Sequence, residues 1–178
     1  RVCAVGEAGM PPDGGARAPD APDAGDDESP EWPEATPPEP GHPLPPASPR
    51  SLPPGRALAL APHTFRAAKA GEYLEEVREH LPLYREAAVA HPAWLVRCAY
   101  SVLGSNVALG PWIHVESVTR HHGLVTDGMV VEARARVVDE WERKGHRFVR
   151  LDVGLFGDGE LVVRIDHTAI HTPRKAAP

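Results

Sequence analysis

The sequence predicts a single α+β domain behind a long N-terminal tail, and three observations carry that prediction. Fifteen of the 21 prolines fall in residues 1–55. The stretch His91–Val107 is almost uncharged and repeats its apolar residues at helical spacing. From Met129 to Ala169 the pattern changes to alternation with a period of two, the signature of half-buried strands.

Residues 1–55 contain 10 acidic side chains against 3 basic ones, and Trp32 is their only aromatic. Such a segment buries too little apolar surface to offset its ordering entropy, which predicts a disordered tail of polyproline character that folding does not need. Its runs Pro37-Pro38-Glu39-Pro40 and Pro43-Leu44-Pro45-Pro46 suit a proline-reading groove, though composition favours a merely solvated tail. The other 123 residues carry 16 basic and 15 acidic groups, so the folded part, taken as residues 56–174 with a short tail at 175–178, is close to neutral. That balance argues against nucleic acid as the main partner. No apolar run reaches the ~18–20 residues of a membrane helix. The first ten residues lack the apolar core of a secretion signal, which predicts a cytoplasmic protein. Cys3 and Cys98 make neither a disulfide framework nor a metal site.

The elements follow in order. Arg56–Phe65 reads as a short strand broken at Pro62. Lys69–His80 places Tyr73, Leu74 and Val77 on one side of a charged helix that Pro82 should end. His91–Val107 reads as a second helix with Pro92 in its first turn and Trp94, Leu95, Cys98, Ala99, Val102 and Leu103 near one face; with Arg97 its only charge, it should be nearly buried. Trp112–His121 is β-branched. Met129–Val138, Arg147–Leu155 and Leu161–Ala169 alternate, with hairpins at Lys144-Gly145 and Gly157-Asp158-Gly159. These last four strands should form an antiparallel meander around the apolar helix.

That order, with five specific stretches, resembles the hotdog fold, a curved antiparallel sheet wrapped around one central helix, and within it the MaoC-like acyl dehydratases. The stretches are Pro82-Leu83-Tyr84, His91-Pro92-Ala93-Trp94-Leu95, Leu109–Val115, Glu142–Val149 and Arg164–Ile170. The resemblance implies hydration or dehydration of an acyl thioester carried by coenzyme A or an acyl carrier protein, with no further cofactor. It also implies a homodimer, or a heterodimer with another hotdog subunit. Hydratases of the family carry Asp-x-Asn-Pro-x-His before the central helix, an acid/base pair suited to adding or removing water. Here Glu79 stands in the Asp slot, Leu81 replaces the Asn, Pro82 matches and Tyr84 stands in the His slot. A phenol, with an ordinary pKa of about 10, is a poor base near neutral pH. This departure resembles the non-catalytic halves of two-part dehydratases. A thioesterase would place a carboxylate on the central helix, and His91–Val107 has none, so that chemistry would need a non-standard base such as His91 or Glu79.

The candidate catalytic residues are therefore Glu79, Tyr84 and His91. Pro92, Ala93 and Trp94 open the helix whose N-terminal N–H groups would meet the thioester carbonyl. Trp112 and His114 enter the second strand as pocket candidates, and Arg143, Lys144 and His146 are candidates for the phosphates of a carrier. Each has a structural alternative: a capping histidine, packed aromatics and a hairpin tip charged for solubility. No metal site is expected, because the adjacent His121 and His122 point to opposite faces of a strand.

Overall fold

A computed structural model describes residues 32–174. The tail readings for 1–31 and 175–178 lie outside the described residues. The elements are β1 (Ala57–Thr64), α1 (Ala67–Glu76), α2 (Pro82–Glu86), α3 (Pro92–Asn106), β2 (Ile113–His121), β3 (Val130–Arg143), β4 (His146–Gly157) and β5 (Glu160–Thr172). The strands make one antiparallel sheet in the order β1-β3-β4-β5-β2. Every other residue of β3, β4 and β5 faces inward, so Val137, Leu151, Val153 and Ile165 are buried with Leu95, Ala99, Val102 and Leu103 of α3. Register shifts in β1, β2 and β3 let the sheet curve around that helix. This is the hotdog architecture that the element order implied.

Four expectations need correction. The first concerns the tail. Trp32 is buried, its indole N–H donates to the Asp152 carbonyl at 3.1 Å, and its ring meets Phe156 edge-on at 5.6 Å. A Cβ on Gly154 would lie 2.9 Å from the Trp32 ring, so glycine there makes the seat. Further along, Pro45–Ala47 pairs with Ala108 just beyond α3, and Leu52 is fully buried in the core. Residues 32–55 are thus a strap held by two apolar anchors that average composition conceals.

The second correction concerns the first helix. It ends at Glu76, because Arg78 takes a left-handed conformation (φ 56°) and the Glu79 N–H reaches back to the Leu74 carbonyl at 2.8 Å. That is a Schellman-type stop. Pro82 instead opens α2, in the first-turn position proline favours.

Third, the meander comprises β3, β4 and β5 only. β2 joins at the far edge, against β5. The β2–β3 link does contain a turn, in which the Met129 N–H bonds to the Thr126 carbonyl at 3.2 Å with Gly128 at φ 89°, but it does not fold β2 onto β3. It bonds instead to the segment just before α3, the Ala90 N–H to the Val125 carbonyl at 2.8 Å and the Asp127 N–H to the Ala88 carbonyl at 3.0 Å.

Fourth, α3 is buried on one side only. Ala93, Arg97, Ser101 and Gly104 form an exposed stripe, because a single sheet covers one face of a helix. No helix among the described residues is long and apolar enough to cross a membrane.

Candidate functional site

The stop at Arg78 delivers Glu79 to the mouth of α3. Its carboxylate accepts the Leu81 N–H at 2.8 Å and lies 3.5 Å from His91 Nε2. The Leu81 hydrogen bond, assisted by His91, holds this carboxyl below the usual range, so it is ionised at neutral pH. His91 is the N-cap of α3: its Nδ1 accepts the Ala93 N–H at 3.1 Å, which leaves the ring proton of the neutral imidazole on Nε2, toward Glu79. Tyr84 of α2 places its ring 4.8 Å from the His91 ring, and Tyr73 of α1 lies 5.9 Å away on the same imidazole. Glu79, Tyr84 and His91 therefore come together, from the α1–α2 link, α2 and the N-cap of α3. Burial raises the Tyr73 pKa despite Arg97 at 5.4 Å, so this group is a neutral phenol.

Beside this cluster, β1, α1 and the open side of α3 enclose a groove of about 640 Å³. Tyr73 belongs to both. Leu60, Phe65, Trp94 and Cys98 give the groove apolar walls, while Arg66, Lys69, Glu72 and Glu76 mix charges along it. The ring of Trp94 packs against Phe65 at 4.9 Å and His63 at 5.4 Å. Burial pushes the Cys98 thiol up to about 12, so it stays protonated and acts as a small wall residue.

The helix N-terminus is less available than its position suggests. Pro92 has no N–H, the Ala93 N–H is taken by the His91 ring, and the Trp94 N–H bonds to the His91 carbonyl at 2.9 Å. The expected donors to a carbonyl are thus satisfied within the helix, and Glu79 and Tyr84 are the polar side chains left beside the cap. Trp112 and His114 join Tyr100 on a different flank of α3. Tyr100 lies nine positions after His91, which is half a revolution around the helix and roughly 13 Å along it.

Arg143, Lys144 and His146 occupy the β3–β4 hairpin, where Lys144 and Gly145 both take positive φ. His146 Nδ1 accepts the Arg174 N–H at 3.2 Å. The α3 entrance is tied to the link just before Val130, so this hairpin sits at the opposite end of β3, roughly 40 Å along the strand. The structure does not bring these three residues to Glu79 and His91.

Sequence reading missed five polar participants. Tyr73 read only as part of a helix stripe and His63 as a strand residue. Ser117 and His167 meet through sheet register, which no local pattern announces. Asn106 is buried too, and its amide donates to the Ala59 and Val102 carbonyls at 2.8 Å each, pinning α3 to β1. Among the described residues no group of three or more His, Cys, Asp or Glu is arranged to hold a metal ion.

No protein-family model matches the chain, and no curated protein matches it in sequence. Solved structures do match in fold. The (R)-hydratase from A. caviae involved in PHA biosynthesis superposes with a TM-score of 0.59 at 20% identity, covering 70% of this chain and 99% of that one. A HadBC (3R-hydroxyacyl-ACP dehydratase) complex from Mycobacterium tuberculosis gives 0.56 at 21% identity, covering 66% and 96%. The MaoC-like dehydratase from Rhodospirillum rubrum gives 0.52 at 17% identity, covering 71% and 97%. The chain therefore has the hotdog fold, in the form that it shares with (R)-hydratases and MaoC-like dehydratases.

Proposed function

We propose that this chain binds an acyl thioester of coenzyme A or an acyl carrier protein, with the thioester at Glu79, Tyr84 and His91 and the acyl group in the adjoining groove. The observation that carries this reading is the convergence of those three side chains beside an apolar-walled groove, to which Tyr73 joins them. Hydration of an enoyl thioester needs a base for water and an acid for the α-carbon. Glu79 is ionised, but its oxygens already face the Leu81 N–H and His91 Nε2. Those contacts make it a weak base. Tyr84 donates a hydrogen bond readily and accepts a proton poorly. Binding thus survives the substitutions in the family motif better than turnover does.

The chain works as one subunit of a dimer. β2 is an uncovered edge on which Ile113, Val115 and Val118 are each about half exposed. Pairing through such an edge extends the sheet across a two-fold axis. The partner is a second copy or another hotdog chain; the HadBC dehydratase complex is a precedent for the latter. A second reading, in which the partner supplies the acid/base pair and this chain only shapes the acyl channel, is favoured by Tyr84 in the His slot. Both readings put the chain in the cytoplasm with its thioester ligands.

Mass spectrometry of the purified protein with a panel of acyl and enoyl thioesters tests the proposal. The expected result is retained thioester with hydration at or near background. Robust hydration lost in Glu79→Gln would overturn the weak-base reading, and hydrolysis lost only in His91→Ala would make the chain a thioesterase. Absence of any retained ligand would remove the proposal itself.

A further inference from the structure

A second polar cluster lies on the other flank of α3. Ser117 Oγ is 3.1 Å from His114 Nε2 and 3.0 Å from His167 Nδ1, and the two imidazoles lie nearly parallel at 5.5 Å. The ring of Tyr100 stands 5.1 Å from each imidazole and 5.5 Å from Trp112, closing one side.

This arrangement depends on a fault in the strand. His114 and Ser117 are three residues apart, so in a regular strand their side chains would point to opposite faces. They pair with Ala169 and His167, which are two apart and share the inner face of β5. The register shift between His114 and Glu116 absorbs the odd residue, leaving Val115 without a partner on β5. The bulge thereby brings both side chains to the same face, where they meet. Bulges commonly re-aim a side chain in this way next to working sites.

Proton positions follow from the network. His167 is fully buried, and its Nε2 has no hydrogen-bond partner. Burial, reinforced by His114, lowers its pKa to about 4, so the ring is neutral at pH 7. Orphaned buried N–H groups are rarer than orphaned acceptors, which puts the His167 proton on Nδ1, donated to Ser117 Oγ. The Ser117 hydroxyl then donates to His114 Nε2. His114 is exposed and Ser117 half-buried, so the serine oxygen and its base can meet a ligand from outside.

We propose that Ser117 and His114 form a nucleophile–base pair for acyl transfer from an activated acyl compound, an ester or thioester, with His167 as the positioning residue. Ser117 Oγ attacks the acyl carbonyl while its proton passes to His114 Nε2. The bond from the carbonyl carbon to the leaving sulfur or oxygen breaks, and His114 returns the proton to that leaving group, which departs as thiol or alcohol. Water, deprotonated by the same imidazole, then releases the acyl group as a carboxylic acid and restores the serine. This site is separate from Glu79 and His91, and it stands or falls independently of thioester binding there.

The test uses 4-nitrophenyl acetate on the full chain, following nitrophenolate release and mapping acetyl groups by peptide mass. Acetylation of Ser117 is expected, absent in Ser117→Ala and slowed about 100-fold in His114→Gln, the lower part of the range for general-base assistance. His114 is exposed, so His114→Gln keeps the fold, which circular dichroism checks. Acetylation of Ser117 no faster than that of the exposed Ser101, or at an unchanged rate in His114→Gln, would overturn the assignment.

Discussion

The two flanks of α3 hold polar clusters of similar size that are built in different ways. On the His91 flank, local chain geometry does the work: a left-handed Arg78 stops α1, Glu79 turns back, and an N-cap histidine starts α3. On the Tyr100 flank, sheet register does the work, and a single bulged residue in β2 decides whether His114 and Ser117 meet at all. The first cluster is half-open with its charges partly in water. The second contains an imidazole that no solvent reaches. The difference teaches that capping places groups where they can exchange with ligand, whereas burial in a sheet fixes their protonation.

The largest effect expected from disturbing this pair comes from the strap, which pairs with the chain just beyond the C-terminal end of α3. A chain beginning at Pro54 loses the buried Trp32 and Leu52 and the pairing of Pro46 with Ala108. Each buried side chain of that size contributes about 1.5–3 kcal/mol, so the truncated chain should lose about 3 kcal/mol net of ordering cost. For a domain of this size the expected fall in Tm is roughly 10 °C. Hydrogen exchange should rise at Val102–Val107 more than at His91–Leu95. An unchanged Tm would return residues 32–55 to the status of a dispensable tail.

Substitution separates the flanks directly. His167→Ala opens a fully buried position and should cost about 3 kcal/mol in denaturant unfolding, as large-to-small core changes do. His91→Ala removes a cap and should cost about 1 kcal/mol. Equal costs would mean that the flanks are not mechanically distinct.

Acid distinguishes them by window. His167 has its folded pKa depressed from 6.5 to about 4, so the unfolded chain takes up its proton first as pH falls. Stability that is complete above pH 6.5 should decline by about 3 kcal/mol by pH 4, at about 1.4 kcal/mol for each pH unit crossed. Glu79 is also depressed, from 4.5, so its contribution is present above pH 4.5 and is lost only as pH falls through its lower folded value. Urea unfolding from pH 7 to 4 should therefore show a slope that disappears in His167→Gln and persists in Glu79→Gln. A slope retained in His167→Gln would place the responsible proton elsewhere.

The most local effect is expected at the strap's seat. Gly154→Ala sets a Cβ against both Trp32 and Phe156, so it should displace the indole and expose it to water. A red shift in Trp32 emission, with α3 protection little changed, is the expected reading.

What the sequence made legible tracks these same causes. The α3 periodicity, the period-two strands and the Gly-containing hairpins are local, and each appears in the structure within a few residues of its expected bounds. Glu79, Tyr84 and His91 could be named because they lie within thirteen residues of one another, around a proline that matches a known motif. Ser117 and His167 are fifty residues apart and meet only through the β2–β5 register, including the bulge at Val115. Nothing in IHVES marks a bulge. The edge position of β2 is equally hidden, since chain order suggests pairing with β3, whereas the intervening link bonds to the segment before α3 and β2 lies against β5. In the strap, two apolar residues outweigh a composition that otherwise reads as solvated.

Isothermal titration of the full chain with crotonyl-coenzyme A, set against free coenzyme A, tests the central claim most directly. The acyl thioester should bind at least about 10-fold more tightly than coenzyme A alone, a difference of about 1.4 kcal/mol, because the groove and the Glu79–Tyr84–His91 cluster receive the acyl end. Tyr84→Ala should remove most of that preference. Equal affinity for the two ligands, or a preference untouched by Tyr84→Ala, would contradict the assignment of the thioester to this cluster.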